Sequence, residues 1–364
     1  MTQERMALLW LSSAEVPSAR VRKLRREYGS AFQLWQAFGS ERFPTFQPHA
    51  MEILTKLHSG QAMEELCYKL EQSHVHLLFE DDPAYPPLLH TIDDFPYLLY
   101  YAGRLECLKA PMIAVVGTRK ASQYGLETAR VLGRELAKAG VTVVSGLARG
   151  IDGAAHQGAL ESDGCTLGVL GSGVNNPYPP EHTPLLRRIA GGKGLIVSEY
   201  PLNAEASAYH FPYRNRIISG LSLAVVFVEG AIKSGGMHTV NSALVQGREV
   251  FAMPGLIGTL GAEGPHAILR EGARIATCGK DILEDLGLAP VGPEVAPPEK
   301  KLENPVQRQI LEALQLQPQT VEQLSKAIKI DPGEILGQLT FMEMEGQVAR
   351  EAGNLFLAPV TPRQ

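Results

Sequence analysis

The 364-residue chain has four cysteines, Cys67, Cys107, Cys165 and Cys278, and no two stand in a C-x-x-C spacing. Isolated thiols exclude a zinc ribbon or a disulfide framework and fit a reducing, cytoplasmic setting. No apolar run approaches the ~20 residues of a membrane span, and the amino terminus lacks a signal-peptide pattern, so no membrane partner is expected. The P-loop pattern, G-x-S-x-G and H-E-x-x-H are also missing, which removes the commonest sequence marks of nucleotide hydrolysis, serine nucleophiles and catalytic zinc. The dinucleotide fingerprint is absent too: Gly117 stands alone until Gly125, and "GSGVNN" at 171–176 lacks a third glycine. NAD binding is therefore disfavoured, and neither a cofactor nor a metal is expected.

What is present suits a soluble protein of two or three domains, with 45% hydrophobic and 20% charged residues. The net charge of −5 taken alone speaks against a polyanion partner, but it is unevenly spread. Residues 113–149 carry six cations against two acids, and "RVRKLRR" at 20–26 holds five cations and no acid. A polyanion responds to such local patches rather than to the whole-chain sum.

Residues 1–75 have apolar side chains at helical spacing, as in "MALLWLSS" and "AFQLWQAF", and read as a small helical domain. The proline- and tyrosine-rich "DDPAYPPLLHTIDDFPYLLYYAG" reads as an extended connector. From Pro111 onward six β-rich runs recur: "IAVVG", "VTVVSG", "CTLGVLG", "GLIVSE", "LAVVFVEG" and "EVFAMPG". Amphipathic or alanine-rich segments separate them. That alternation predicts an α/β domain over 76–288, a doubly wound, mostly parallel sheet covered on both faces. Ligand sites of such sheets lie at the carboxyl ends of the strands. Residues 289–304 form a proline-rich linker. Residues 305–362 read as three helices and a hairpin, the order of a winged helix, with Thr320 and Asp331 as helix caps.

Three strand-to-helix turns draw attention. "AVVGTRKASQYG" places Gly117, Thr118 and Arg119 at a helix start, where outward N–H groups and the helix dipole attract phosphate. Arg119 adds a bidentate fork. The plainer alternative is a capped helix with solvated cations. In "SGLARGIDGAAHQGAL", Ser145 and Gly146 would let a ligand backbone approach closely. Asp152 and His156 lie four apart on one helix face, as a structural hydrogen-bonded pair or, although no nucleophile motif lies nearby, as a base and its orienter. In "EGAIKSGGMHTVNSAL", Lys233, Ser234, Gly235 and Gly236 precede another helix whose amides could hold phosphate; the alternative is a flexible, capped loop.

The stretch "HFPYRNRIISGL", 210–221, poses a separate question. Arg214 and Arg216 flank Asn215, and the stretch has no acid to balance them. Phe211 and Tyr213 stand beside them. Single-stranded nucleic acid is held by such cationic grooves with ring platforms. Alternatively Phe211 belongs to the core and the arginines pair with distant acids such as Glu199 or Glu229.

On "AVVGTRKAS", "SGLARGIDGAAHQGAL", "YPPEH", "SEYPL", "HFPYRNRIISGLS", "EGAIKSGGMHTV" and "GREVFAMPG", together covering 80–285, the chain resembles the DNA-processing protein A family (DprA, also called Smf). The resemblance implies an extended Rossmann-like domain that binds single-stranded DNA, forms a homodimer and catalyses no reaction. It implies hand-over of the strand to the recombinase RecA in natural transformation. It also implies a sterile-α-motif-like amino-terminal domain and a carboxy-terminal winged helix. Carried over residue by residue, DNA contacts fall on Arg119, on Phe211, Arg214 and Arg216, and on the Lys233–Gly236 loop. His238 and His266 depart from the family's usual aliphatic residue and asparagine. On this basis Arg119→Ala and Arg214→Ala are each expected to weaken single-strand binding without unfolding the protein.

The competing class is a nucleotide phosphoribohydrolase of the lysine-decarboxylase-like group. Its catalytic glutamate would fall where this chain has Asn241 and Ser242, and an amide is no general base. A duplex-binding winged-helix regulator is disfavoured as well, because "PGEILGQLTFMEMEG" carries Glu334, Glu343 and Glu345 and no cation.

Overall fold

A computed structural model describes residues 1–288, 304–351 and 355–358. Except for Asn304, the linker expected at 289–304 lies outside the described residues. Five helices come first: α1 (Gln3–Ser13), α2 (Ser18–Tyr28), α3 (Ala31–Gln36), α4 (Pro48–Leu57) and α5 (Gly60–Gln72). Ser30 and Ser59 cap α3 and α5 by accepting from backbone N–H groups three residues on, which fixes where those helices start.

Next come β1 (His76–Phe79), β2 (Leu98–Gly103), β3 (Met112–Val116), α6 (Gln123–Lys138), β4 (Thr142–Ser145), α7 (Ile151–Leu160), β5 (Thr166–Leu170), α8 (Thr183–Arg188) and β6 (Gly194–Ser198). They are followed by α9 (His210–Leu221), β7 (Ala224–Phe227), α10 (Gly235–Val245), β8 (Glu249–Ala252), α11 (Glu263–Arg270), β9 (Arg274–Ile275) and α12 (Gly279–Asp285). The strands form one nine-stranded sheet in the order β1-β2-β6-β5-β4-β3-β7-β8-β9. From β6 to β9 every pairing is parallel, and β1 and β2 add antiparallel at one edge.

The six apolar runs are β3 to β8. The connector is not merely extended, however. Its end, β2, pairs with β6 through Tyr100–Gly103, so the segment joins the sheet. Its prolines are confined to the loop before that strand, where no ladder N–H is lost.

Burial follows the period of the strands. Ile113 and Val115 of β3 enter one apolar cluster with Leu132 and Leu136 of α6 and Ala155 and Ala159 of α7. Ala114 and Val116 enter the opposite cluster with Ile217, Ile218 and Leu221 of α9 and Val240 and Ala243 of α10. Alternate residues therefore face opposite helix layers, as a doubly wound sheet requires. A third cluster joins the amino-terminal helices to the sheet edge: Trp10, Leu34 and Leu54 share it with Tyr97, Tyr100 and Ile196.

The run "RVRKLRR" lies on α2 and is largely consumed in docking that helix. Arg22 binds Asp94 at 2.7 Å and the Phe95 carbonyl at 2.7 Å, and Arg25 pairs with Glu80 and Glu4. Arg20 reaches the Thr45 carbonyl, and Lys23 pairs with Glu27. The patch that suggested a polyanion partner is thus mostly neutralised.

The last unit contains α13 (Pro305–Leu316), β10 (Gln319–Thr320), α14 (Val321–Ile328), α15 (Pro332–Met344), β11 (Ala349–Glu351) and β12 (Leu355–Leu357). Thr320 caps α14 within a capping box, and Asp331 caps α15. Its core is its own, built on Ile310, Leu324, Ile335, Leu339, Met342 and Phe356. Three helices with a β-ribbon make a winged helix.

Candidate functional site

The chain runs from β3 outward to β6 on one side, then returns past β3 to β7 and outward again. The order reverses between β3 and β7, and such a switch point opens a crevice at the strand ends. The turns after β3, β4 and β5 line a cleft there with α9, and the turn after β7 abuts the β3 turn.

The first turn is held from beneath. Thr118 N–H donates to the Glu229 carbonyl (2.7 Å), and the Thr118 hydroxyl accepts from Lys120 N–H (3.2 Å). Gly117 meets the start of α10: a Cβ on Gly236 would stand 3.0 Å from the Gly117 Cα and 2.7 Å from the Phe227 ring. Only glycine permits that approach. Glu229 does not reach the arginines of α9. Its carboxylate instead accepts from Ser122 N–H (3.2 Å) and Ser122 Oγ (2.8 Å) at the start of α6.

"HFPYRNRIISGL" is helix α9, and its period splits the stretch in two. Residues two apart on a helix do not share a face, whereas residues three apart do. Phe211 and Arg214 therefore form one side, and Tyr213 and Arg216 the other.

The first side builds a cleft lined by Arg119, Gly146, Ala148, Arg149, Tyr178, Pro179, Phe211 and Arg214. Tyr178 and Phe211 have ring centroids 5.3 Å apart, and the Arg119 guanidinium lies 5.4 Å from the Phe211 centroid. Arg119 is exposed and forms no ion pair among the described residues. Arg149 pairs with Glu181 at the rim.

Arg214 is buried under the floor. Its Nη1 donates to the Gly146 carbonyl (3.0 Å), and the Asp152 carboxylate, which accepts from Gly146 N–H (3.0 Å), lies beside it. Burial pulls the Arg214 guanidinium down to about 10, against the pull of Asp152. Burial also pushes the Asp152 carboxyl up, with Arg214 opposing. A Cβ on Gly146 would stand 2.7 Å from Arg214 Nη2 and 2.8 Å from Asp152 Oδ2, so this glycine makes room for the pair.

Several sequence-based assignments change accordingly. Ser145 cannot face a ligand: it is fully buried, and its hydroxyl donates to the Val115 carbonyl (2.7 Å). Arg216 leaves the cleft. Its Nη2 donates to both Glu199 oxygens at 2.8 Å, its Nε lies 3.5 Å from Asp94, and its guanidinium sits 4.0 Å from the Tyr213 ring centroid. Burial would lower its pKa, but Glu199, Tyr213 and Asp94 together more than reverse that and the net shift is upward. Asn215 is buried and ties α9 to the Gly235 carbonyl (3.5 Å).

Asp152 and His156 are not a bonded pair. His156 Nδ1 meets Thr166 Oγ1 (2.7 Å), and burial drives the imidazole down to about 3. The loop Lys233, Ser234, Gly235 and Gly236 abuts the Gly117 turn, with Lys233 exposed, but does not line the cleft.

Of the six cations at 113–149, Arg130 and Arg134 pair with Glu161, and Arg149 with Glu181. Tyr178 and Arg149 were missed as site residues. "YPPEH" stood out in the sequence, but nothing there showed that the loop after β5 folds back onto Phe211. Among the described residues no cluster of His, Cys, Asp and Glu could hold a metal, and no helix is long and apolar enough to cross a membrane.

Rings, a free guanidinium and small residues gather at the carboxyl ends of parallel strands in a doubly wound α/β domain, where such folds place their ligand sites. The chain belongs to the DNA recombination-mediator protein A family: that family's model matches residues 76–287, and the DprA winged helix domain matches 293–354. It is 48% identical to protein Smf of Escherichia coli over 61% of this chain and 59% of that protein. It is 38% identical to the DNA processing protein DprA of Streptococcus pneumoniae over 61% of this chain and 80% of that protein. The crystal structure of that DprA aligns with a TM-score of 0.67 at 31% identity, covering 78% of this chain and 98% of that one. DNA processing protein A of Helicobacter pylori, whose structure is described as revealing a single-stranded DNA binding mode, aligns with a TM-score of 0.53 at 28% identity, over 58% and 95%.

Proposed function

We propose that this chain binds single-stranded DNA in the cleft between Arg119 and Phe211. It does so as a homodimer without making or breaking covalent bonds, and passes the strand to the recombinase RecA in natural transformation. The observation that carries the reading is the unpaired Arg119 guanidinium over Phe211, with the Tyr178 ring alongside. Such a cleft offers a base a ring and a phosphate a cation. Arg119 and Arg149, the latter paired with Glu181, are the exposed cations that line it, with Lys120 next to Arg119 in the chain, whereas Arg214 stiffens the floor.

No carboxylate lines the cleft, which supports binding over acid–base chemistry. Asn241 lies instead along α10, in a separate groove with Arg216 and His238. The family and the single-stranded DNA binding described for the Helicobacter relative support the same reading.

Fluorescence anisotropy with a labelled oligonucleotide, single strand against duplex across a salt range, tests it. Single-strand affinity should fall with log K dropping ~0.7 per phosphate neutralised, and duplex should bind much more weakly. Equal affinity for both, or no salt dependence, overturns it. Release of free base from nucleoside monophosphates would instead favour the hydrolase.

A further inference from the structure

The Tyr213 side of α9 faces a second cavity, of about 330 Å3, between the α1–α2 turn and the segment leading into α9. Tyr97, Tyr200, Tyr209 and Tyr213 line it with His210, and the carboxylates of Glu15 and Glu199 reach it. No lysine or arginine does. Glu199 is already bound by Arg216 and by Ser18 Oγ (2.8 Å). Glu15 is not so engaged: among the described residues its ion-pair neighbour is the His210 imidazole at 3.4 Å, and its side chain is 41% exposed. Glu15 has φ 52, just past the end of α1, where glycine is the usual residue. A carboxylate is thus held at the mouth of a tyrosine-walled pocket in a backbone conformation that a glutamate adopts at a cost.

We propose that this pocket takes the guanidinium of an arginine carried by a partner protein. A planar cation stacks on tyrosine faces, and a carboxylate receives its N–H fork. The wall itself already shows this arrangement, because Arg216 lies over Tyr213 and is clasped by Glu199. The pocket repeats those elements, rings and Glu15, without a resident lysine or arginine. Two carboxylates and no such cation disfavour a phosphate-bearing ligand, so the pocket is not an extension of the strand cleft. Tyr209, 87% exposed at the rim, gives an incoming protein a large ring to cover. Because Phe211 and Arg214 occupy the other side of α9, the pocket stays open while a strand is bound.

The test uses the full chain with 13C-labelled tyrosine rings, titrated with N-acetyl-arginine methylamide and, separately, with the uncharged citrulline analogue. The arginine compound should shift the Tyr209 and Tyr213 signals and the citrulline compound should not. Glu15→Gln and the exposed-site variant Tyr209→Ala should each weaken the arginine titration about tenfold. Both should leave single-strand affinity unchanged. In Arg119→Ala, which weakens the strand cleft, the arginine titration should persist, so failure of one reading does not imply failure of the other. Equal shifts from citrulline, an unchanged titration in Glu15→Gln, or loss of single-strand binding in that variant would each overturn the proposal, the last in favour of a nucleobase as occupant.

Discussion

The Arg119 guanidinium rests over the face of Phe211, 5.4 Å from its centroid, although one residue follows β3 and the other opens α9. The contact joins the two chemistries a single strand needs, and among the described residues no acid pairs with Arg119. Arg119→Ala should reduce single-strand affinity about tenfold and lower the salt slope by ~0.7, because one phosphate contact is lost. Phe211→Ala should cost a similar factor, since a stacked base is worth about 1–3 kcal/mol, but should leave the salt slope unchanged. Anisotropy titrations at several salt concentrations separate the two. Thermal melting should not move for Arg119→Ala, whose side chain is exposed.

The two arginines of α9 should behave differently from Arg119. Arg216 and Glu199 are each only 12% exposed, so removing one leaves the other buried and unpaired. Arg216→Ala should destabilise the protein by about 3–5 kcal/mol. Arg214→Ala removes the buried guanidinium that holds the Gly146 carbonyl and whose charge opposes the burial of Asp152, so it should unfold more readily than the sequence suggested. A double-mutant cycle by urea unfolding should show that Arg214→Ala costs much less in an Asp152→Asn background. Additive losses would show that the pair is not coupled.

Whether an arginine is surface or core was the least legible feature of this sequence. Six of the seven parallel strands, β3 to β8, were readable because each is a short apolar run with its own boundaries. So were the Thr320 and Asp331 caps, which act over two or three residues. The groups around Arg214 and Arg216 lie elsewhere in the chain, just after β6, on the connector and at the start of α7. Nothing local predicts them. The aromatic and basic residues of α9 also seem one site until the helical period is imposed, after which Phe211 and Tyr213 face different cavities. Strand β2 was hidden for the opposite reason: the prolines before it mark a loop and mask the pairing that follows.

Acid should loosen the domain partly through His156. Its imidazole titrates near 6.5 when unfolded and at about 3 in the folded state, because burial disfavours the cation. Between those values the unfolded chain binds the extra proton. The contribution is therefore fully present above about pH 6.5 and is lost as pH falls towards 3, by up to ~1.4 kcal/mol per pH unit. Asp152, whose carboxyl is pushed upward by burial, works in the opposite sense. Comparing the protein with His156→Asn isolates the histidine. Urea unfolding between pH 7 and pH 4 should show a shallower acid loss in the variant, and parallel curves would contradict the assignment.

Self-association has a surface suited to it at the β8–β9 edge. Leu256, Ile257 and Leu260, after β8, are 66%, 94% and 69% exposed, and Ile275 on the edge strand β9 is 57% exposed. A free strand edge beside apolar side chains is suited to pairing with a second copy. Sedimentation velocity should find a dimer, and Ile257→Glu with Ile275→Glu should convert it to a folded monomer. A dimer that survives both changes must use another face.

The winged helix should contribute little to DNA binding. Its third helix, α15, carries Glu334 in the first turn and shows Leu336, Phe341 and Met344 to solvent, 45%, 52% and 82% exposed. Duplex phosphates would be repelled by the helix's acids and would gain nothing from the apolar side chains, whereas a protein surface could cover them. Because this domain's core includes no residue of the α/β domain, its removal should leave the strand cleft intact. A chain ending at residue 288 should therefore bind single strands with the affinity and salt slope of the full chain. A marked fall in single-strand affinity, or duplex binding by the full chain that disappears on truncation, would assign the winged helix a direct hold on DNA.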